Sequence, residues 1–157
     1  MAAALTLVST RLHNIRMSTK IVQIALVDDH RLFRSGIVSL INNFSGYQIL
    51  FEAGNGEELA RKMSPKFKPD IILLDINMPV MDGFEASKRI RSLEIPRKGN
   101  IPIIAVTASV GAAIEQVKSY PFIDDCLLKP FRPEDLREKL IHIAANKKNP
   151  AIDPELY

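Results

Sequence analysis

Several charged and polar side chains of this sequence stand where a short apolar run ends. Asp28 and Asp29 follow one such run, and Asp75 follows another. Thr107 and Lys129 follow two later runs. Carboxylates that share a cleft repel one another and raise one another's pKa values, and a Mg²⁺ ion with oxygen ligands offsets that repulsion. An ammonium and a hydroxyl beside the same cleft would suit phosphoryl transfer onto one of the carboxylates.

These residues can meet only if the apolar runs are neighbouring strands of one sheet. Between residues 21 and 146, the runs alternate with stretches whose apolar residues recur at the spacing of one helix face. The predicted strands are Ile21–Val27, Tyr47–Ala53, Ile71–Leu74, Ile101–Val106 and Phe122–Leu128. The predicted helices are Phe33–Phe44, Glu57–Met63, Phe84–Leu93, Val110–Val117 and a last helix that begins near Pro133. This alternation predicts a single-domain α/β fold, a (βα)₅ doubly wound sheet of five parallel strands with helices on both faces. In such a sheet ligands bind beyond the carboxyl ends of the strands, where the five side chains stand.

Composition and charge exclude several classes of protein. The 157 residues are 46% hydrophobic, which is enough for one core and one domain. Three of the 21 Lys and Arg side chains lie in the first 20 residues, and the others balance the 18 acidic ones. They form no basic cluster of the kind that a nucleic-acid interface needs. One cysteine excludes a disulfide-stapled scaffold, and no apolar run approaches the ~18 residues of a membrane helix. We therefore expect a cytoplasmic protein that contacts neither nucleic acid nor membrane directly.

The two ends of the chain lack the periodic pattern of its middle. Residues 1–20 contain no acid and are typical of a disordered or tag-like leader, with an organellar targeting sequence as the alternative. Residues 147–157 carry two prolines and are typical of a tail or the stub of a linker. The predicted domain is therefore residues 21–146.

The polar residues at the strand ends also match a known family in type and order. The matching segments are Asp28–Asp29, DINMPVMDG from Asp75 to Gly83, Thr107–Ala108 and Lys129–Pro130. They resemble the motifs of the receiver domain of two-component response regulators. The resemblance covers about residues 21–146 and implies a flavodoxin-like sheet with the strand order 2-1-3-4-5. The segment IALVDDHRLFRSGI looks like receivers that usually precede a LuxR-type helix-turn-helix output domain. The sequence leaves open whether this is a stand-alone receiver or a fragment that lacks such a domain.

The resemblance implies a role for each matching residue. Asp75 would accept a phosphoryl group from the phosphohistidine of a sensor histidine kinase or a phosphotransfer protein. Asp28, Asp29, Asp75 and the backbone carbonyl of Asn77 would hold the Mg²⁺ ion that this reaction needs. Gly83 would permit a tight turn into the following helix. The protein would be a signalling switch rather than an enzyme, although it would promote its own phosphorylation and dephosphorylation.

Three residues would carry the switch. Thr107 and Lys129 would contact phosphoryl oxygens once the acceptor is modified, and the peptide bond after Lys129 would be cis. Many receivers carry Tyr or Phe three residues before this lysine, whereas this chain has Cys126. No ring can report the state there, so we expect a weaker or differently placed switch. Asn77 and Ser109 would set the lifetime of the phosphoryl group.

The output surface implied by the resemblance is the face formed by helix 4, strand 5 and helix 5. An unidentified downstream protein would bind there when the receiver is phosphorylated. The same face would also serve a homodimer.

Two other functions remain open at this point. A Mg²⁺-dependent phosphohydrolase would also form a transient aspartyl-phosphate, but such enzymes usually carry a cap over the site and an aspartate pair that flanks one residue. A receiver-like module that binds partners without phosphorylation would not need every acidic and basic position to be filled. For Asp28 and Asp29 the structural alternative is the N-cap of a helix, where aspartate is favoured.

Overall fold

The five apolar runs form the parallel strands of one sheet in the computed structural model, which describes residues 20–93 and 101–147. The strands are β1 (Val22–Val27), β2 (Tyr47–Ala53), β3 (Ile71–Asp75), β4 (Ile103–Thr107) and β5 (Asp125–Leu128). Their order across the sheet is β2-β1-β3-β4-β5, and every neighbouring pair is parallel. The predicted doubly wound α/β sheet and its strand order are therefore confirmed.

Within the described ranges, five helices connect and cover the strands. They are α1 (Arg31–Asn42), α2 (Gly56–Lys62), α3 (Gly83–Ser92), α4 (Ala112–Ser119) and α5 (Pro133–Lys147). Neighbouring residues of β3 enter two separate cores: Ile72 packs with α2, α3 and α4, whereas Ile71 packs with α1 and α5. All five residues of β3 are buried. A strand that is covered on both faces needs apolar residues at successive positions, which explains its unbroken aliphatic run.

Two strands begin two or more residues later than their apolar runs predict. β4 begins at Ile103, since Pro102 has no N–H to donate to a neighbouring strand. β5 begins at Asp125 because residues 120–123 form a turn that is closed by a backbone hydrogen bond. The side chain of Asp124 joins the two starts, since its Oδ2 accepts the N–H of Ile103 at 2.7 Å.

The fourth helix is shorter than its apolar stripe predicts. Gly111 precedes α4 with a φ of 60°, a conformation that favours glycine, so Val110 lies outside the helix and is 77% exposed. Ile114 and Val117 of the predicted stripe are buried, whereas Ala113 is exposed. Val110 and Ala113 therefore belong to the surface and not to the core.

The register of the strands brings their carboxyl ends to one edge of the sheet. Asp75 lies opposite Val106 of β4, and Thr107 lies opposite Leu128 of β5. Asp28 directly follows β1, which is paired with β3. The strand ends at which chemistry was predicted therefore share one edge of the molecule.

The predicted leader and tail lie outside the described residues, except for Lys20 and Lys147. Lys20 makes an ion pair with Asp70 at 3.1 Å, and Lys147 is the last residue of α5. The predicted domain boundaries at residues 21 and 146 stay predictions. Among the helices described, none combines the length and the apolarity needed to cross a membrane.

Candidate functional site

Three carboxylates and one ammonium meet beyond the carboxyl ends of β1, β3 and β5. Asp28 and Asp75 are buried, with 1% and 4% of their surface exposed. Nζ of Lys129 donates to Oδ2 of Asp28 at 3.1 Å and lies 3.7 Å from Oδ2 of Asp75. A carboxylate oxygen of Asp29 lies within 4.8 Å of the oxygens of the other two acids. The structure thus places these four side chains in one pocket.

The charge of Asp75 is only partly compensated in this pocket. Burial raises the pKa of its carboxyl group, the ammonium of Lys129 lowers it, and the nearby carboxylate of Asp28 raises it again. The N–H of Asn77 donates to Oδ1 of Asp75 at 3.2 Å, which favours the charged form. The net result is a raised pKa for Asp75, with burial as its largest cause.

The pocket has the oxygen atoms that a divalent cation requires. One possible ligand atom from each of Asp28, Asp29, His30 and Asp75 lies within 4.8 Å of the others. Oδ1 of Asp29 is buried and accepts no hydrogen bond, although Nδ1 of His30 lies 3.1 Å away. A buried carboxylate oxygen that accepts no hydrogen bond is rare, and Mg²⁺ binds carboxylate oxygens. These residues therefore fit a Mg²⁺ ion, whereas the contribution of the Asn77 carbonyl stays a prediction.

Asp28 and Asp29 do not cap helix α1. The residue before α1 is His30, whose side chain makes no capping hydrogen bond. Oδ1 of Asp28 accepts the N–H of His30 at 2.8 Å, and its Oδ2 accepts Nζ of Lys129. The sequence places His30 directly after the acidic pair, and the structure brings its Nδ1 to 3.1 Å from Oδ1 of Asp29.

Thr107 is completely buried at the end of β4 and contacts two loops. Its Oγ1 donates to Oγ of Ser109 at 2.9 Å and accepts the N–H of Ser109 at 3.1 Å. Its backbone carbonyl accepts the N–H of Lys129 at 2.8 Å, and the Lys129–Pro130 peptide bond is cis, as the resemblance implied. A backbone hydrogen bond therefore joins the ends of β4 and β5 beside the pocket.

Comparison with known proteins agrees with this arrangement. Residues 24–141 match the family described as the response regulator receiver domain. The chain belongs to this family. The match begins in β1 and extends into α5, so it includes the whole pocket of the receiver.

Individual relatives of the receiver include regulators of very different length. It is 34% identical over 124 residues to the nitrate/nitrite response regulator protein NarL of Escherichia coli K12. The alignment covers 79% of this chain and 55% of NarL. It is 32% identical over 118 residues to the chemotaxis protein CheY of Thermotoga maritima. This alignment covers 75% of this chain and 93% of CheY. A LuxR-family response regulator from Aurantimonas sp. SI85-9A1 superposes with a TM-score of 0.69 at 30% identity, covering 79% of this chain and 85% of that one. The receiver thus spans about half the length of NarL, and the resemblance to LuxR-family regulators is confirmed.

In this receiver, Cys126 stands three residues before Lys129. Cys126 lies in β5 opposite Ala105, is half-buried and carries a free thiol. Together with Pro130 and Phe131 it lines a groove between β5 and α5. The surface that the resemblance assigns to output therefore contains this groove, with a small side chain at position 126.

An aromatic contact of Lys129 was also missed from the sequence. Nζ of Lys129 lies 4.1 Å from the centroid of the Phe33 ring, and Phe131 meets the same ring edge to face at a centroid distance of 6.0 Å. The periodicity of α1 assigned Phe33 to the core, and both rings do pack on the core under α1 and α5. Helical spacing shows which face of a helix is buried, but it does not show which charged group a residue on that face contacts. The sequence therefore could not reveal that Phe33 contacts Lys129 as well as the core.

Proposed function

We propose that this receiver accepts a phosphoryl group on Asp75 from a phosphohistidine of a sensor histidine kinase or a phosphotransfer protein, in a Mg²⁺-dependent reaction. The observation that carries the proposal is the buried Asp75 carboxylate, which lies beside the Lys129 ammonium and two further acids. Family membership supports the same reading, since all the motif residues are present in order.

The transfer step uses groups of the pocket in distinct ways. A carboxylate oxygen of Asp75 forms a bond to phosphorus while the P–N bond to the imidazole breaks, and the electron pair of that bond stays on the leaving nitrogen. The ammonium of Lys129 balances negative charge on the phosphoryl oxygens. The hydroxyl of Thr107 donates to one of these oxygens and must exchange its bond to Ser109 for that purpose.

Asp28, Asp29 and Asp75 would hold the Mg²⁺ ion, together with the backbone carbonyl of Asn77. A bound Mg²⁺ ion supplies positive charge that offsets the repulsion of the carboxylates and of the incoming phosphoryl oxygens. The buried Oδ1 of Asp29, which accepts no hydrogen bond, and the raised pKa of Asp75 both support this part of the proposal.

Phosphorylation then alters the outer face formed by α4, β5 and α5. The added charge engages Thr107 and Lys129, whose loops are joined by a hydrogen bond at the end of the sheet. A downstream protein or a second copy of the receiver binds the altered face. Asn77 lies beside Asp75 and Ser109 contacts Thr107, and both residues would set the lifetime of the phosphoryl group. The proposal places the receiver in the cytoplasm.

Intact-mass spectrometry after incubation with MgCl₂ and acetyl phosphate tests the proposal. We expect one phosphoryl adduct on the native chain and none on Asp75→Asn, because the amide cannot attack phosphorus. Asp82→Asn is the matched control: it makes the same change in the loop after Asp75, where Oδ1 of Asp82 accepts the N–H of Glu85 at 2.9 Å. Asparagine caps a helix as well as aspartate does, so this variant should form the adduct.

Two results of this experiment would contradict the proposal. An unmodified native chain at saturating donor would favour a module that binds its partners without phosphorylation. An adduct that persists in Asp75→Asn would place the acceptor elsewhere. Omission of Mg²⁺ in the presence of EDTA should abolish the adduct on the native chain.

A further inference from the structure

The ammonium of Lys129 is enclosed on three sides. Nζ donates to Oδ2 of Asp28 at 3.1 Å, and Oδ2 of Asp75 lies 3.7 Å away. The third neighbour is the ring of Phe33, whose centroid lies 4.1 Å from Nζ. The side chain of Lys129 is only 18% exposed, so water has little access to the charge.

Each of these neighbours attracts the ammonium for a physical reason. A lysine ammonium has three N–H groups, and the two carboxylates lie on two of its sides. The face of an aromatic ring carries negative charge density and attracts a cation, more strongly where water is excluded. A ring that served packing alone would not need to present its face to the charge.

The ring of Phe33 is itself held in place. Phe131, which follows the Lys129–Pro130 bond, meets it edge to face at 6.0 Å with an interplanar angle of 80°. Both rings pack on the core that lies under α1 and α5. Phe33 therefore has a fixed position between the start of α1 and the loop that carries Lys129.

We propose that Phe33 is a positioning residue for phosphoryl transfer, because its ring holds the Lys129 ammonium beside the Asp75 carboxylate. The inference rests on the proposed function, in which Lys129 balances the charge of the phosphoryl oxygens. Without the ring, the flexible side chain of Lys129 lets the ammonium move away from Asp75 and become solvated. The attack on phosphorus then starts from a less ordered pocket.

Four chains test this role: the native protein, Phe33→Leu, Phe33→Tyr and Phe44→Leu. Phe44→Leu is the matched control, since Phe44 packs on the same core but follows the last turn of α1, at the end of the helix away from the pocket. Phe33→Tyr keeps the ring and should rescue the role. Phe33→Met is a second ring-free variant should the leucine variant fold poorly.

The first measurement is made on the resting protein. The ε-methylene protons of Lys129 lie near the face of a ring, so their NMR signals should be shifted upfield in the native protein and in Phe33→Tyr. The upfield shift should vanish in Phe33→Leu and persist in Phe44→Leu. Persistence of the upfield shift in Phe33→Leu and in Phe33→Met would overturn the inference.

The second measurement is the rate of Asp75 phosphorylation against acetyl phosphate concentration at saturating Mg²⁺. We expect the maximal rate of Phe33→Leu to fall about tenfold, within the range of a desolvated cation–π contact. The half-saturating donor concentration should change far less, and Phe33→Tyr and Phe44→Leu should keep the native rate. Equal losses in Phe33→Leu and Phe44→Leu, or no loss in either, would overturn the inference. If the native protein forms no adduct, the proposed function fails by itself, and the Lys129 signals still decide whether the lysine stem lies over the Phe33 ring.

Discussion

Asp75 carries a cost in the resting protein that its neighbours only partly offset. Its carboxyl group is 4% exposed, and its Oδ2 lies 3.7 Å from the ammonium of Lys129. That ammonium is shared, since it makes its hydrogen bond to Asp28. Burial therefore dominates, and the pKa of Asp75 is raised above its usual value.

Asp75→Asn should stabilise the protein when divalent cations are absent. Because the pKa of Asp75 is higher in the folded chain than in the unfolded chain, native stability is lost as the pH rises through the folded value. The amide has no such loss. Thermal denaturation in EDTA should show little difference in Tm between the two proteins at about pH 4 and a clear advantage of the variant at about pH 7.

Asp82→Asn is again the control for this measurement, since Asp82 makes its capping bond outside the pocket. Its Tm difference from the native protein should not grow with pH. Added Mg²⁺ should narrow the gap between Asp75→Asn and the native protein, because a ligand that binds the native state stabilises it. A lower Tm for Asp75→Asn at neutral pH in EDTA would contradict the argument.

At the scale of elements, the start of α3 lies directly against the backbone of Asp75. A Cβ on Gly83 would lie 2.6 Å from the carbonyl oxygen of Asp75 and 2.7 Å from Cα of Ile76. The left-handed residue of this loop is Val80, with a φ of 69°, and not Gly83. Gly83 is therefore required for a close approach rather than for the tight turn that the resemblance implied.

Gly83→Ala should destabilise the protein by about 1–3 kcal/mol, the usual cost of an overpacked site. The clash involves backbone atoms, so relief must move either α3 or the strand end that carries Asp75. Gly36→Ala provides the matched control, because a Cβ on this residue of α1 meets nothing within 4 Å. It should stabilise the protein by about 0.5–1 kcal/mol through the higher helix propensity of alanine.

Urea denaturation of both variants checks this pair of predictions. The free energies of unfolding should change in opposite directions, although the chemical change is the same. A neutral Gly83→Ala would mean that the loop between β3 and α3 yields without cost. In that case the position of Asp75 would not depend on the start of α3.

The sequence best predicts those elements whose residue pattern is compatible with only one position in the fold. An aliphatic run such as Ile71–Leu74 must be buried on both faces, so its strand and its place within the sheet follow from the pattern. The strand ends then place Asp75 at the carboxyl edge. The beginning of α4 was predicted less well, because the φ of Gly111 excludes Val110 from the helix. The contact of Phe33 joins residues about a hundred positions apart, and periodicity carries no information about such a partner.

On the scale of the whole molecule, β5 and the loop after it connect the pocket to the outer face. Lys129 contacts the acids on the inside, while Pro130 and Phe131 line the groove between β5 and α5. Cys126, three residues before Lys129, lines the same groove but has no aromatic ring. The loop from Lys129 to Phe131 therefore joins the pocket to this groove.

We expect a phosphate mimic to perturb this loop more than position 126. Addition of beryllofluoride with Mg²⁺ should shift the amide signals of Thr107, Ser109, Lys129 and Phe131. The reason is that Thr107 should exchange its bond to Ser109, and Lys129 its bond to Asp28, for contacts with the mimic. The amide of Cys126 should shift less, since its small side chain has no ring to reorient when Thr107 moves. Two-dimensional ¹⁵N NMR of the native protein measures both effects.

Two variants decide what a shift at position 126 means. Asp75→Asn should abolish the response to the mimic everywhere, which ties the shifts to the acceptor. Cys126→Tyr restores a ring of the kind that many receivers carry there, and it should enlarge the response in β5 and α4 if a ring is what carries the signal through this position. A native Cys126 amide that shifts as much as Thr107 would show that the signal passes through position 126 without a ring. The loop from Lys129 to Phe131 would then be a second path and not the main one.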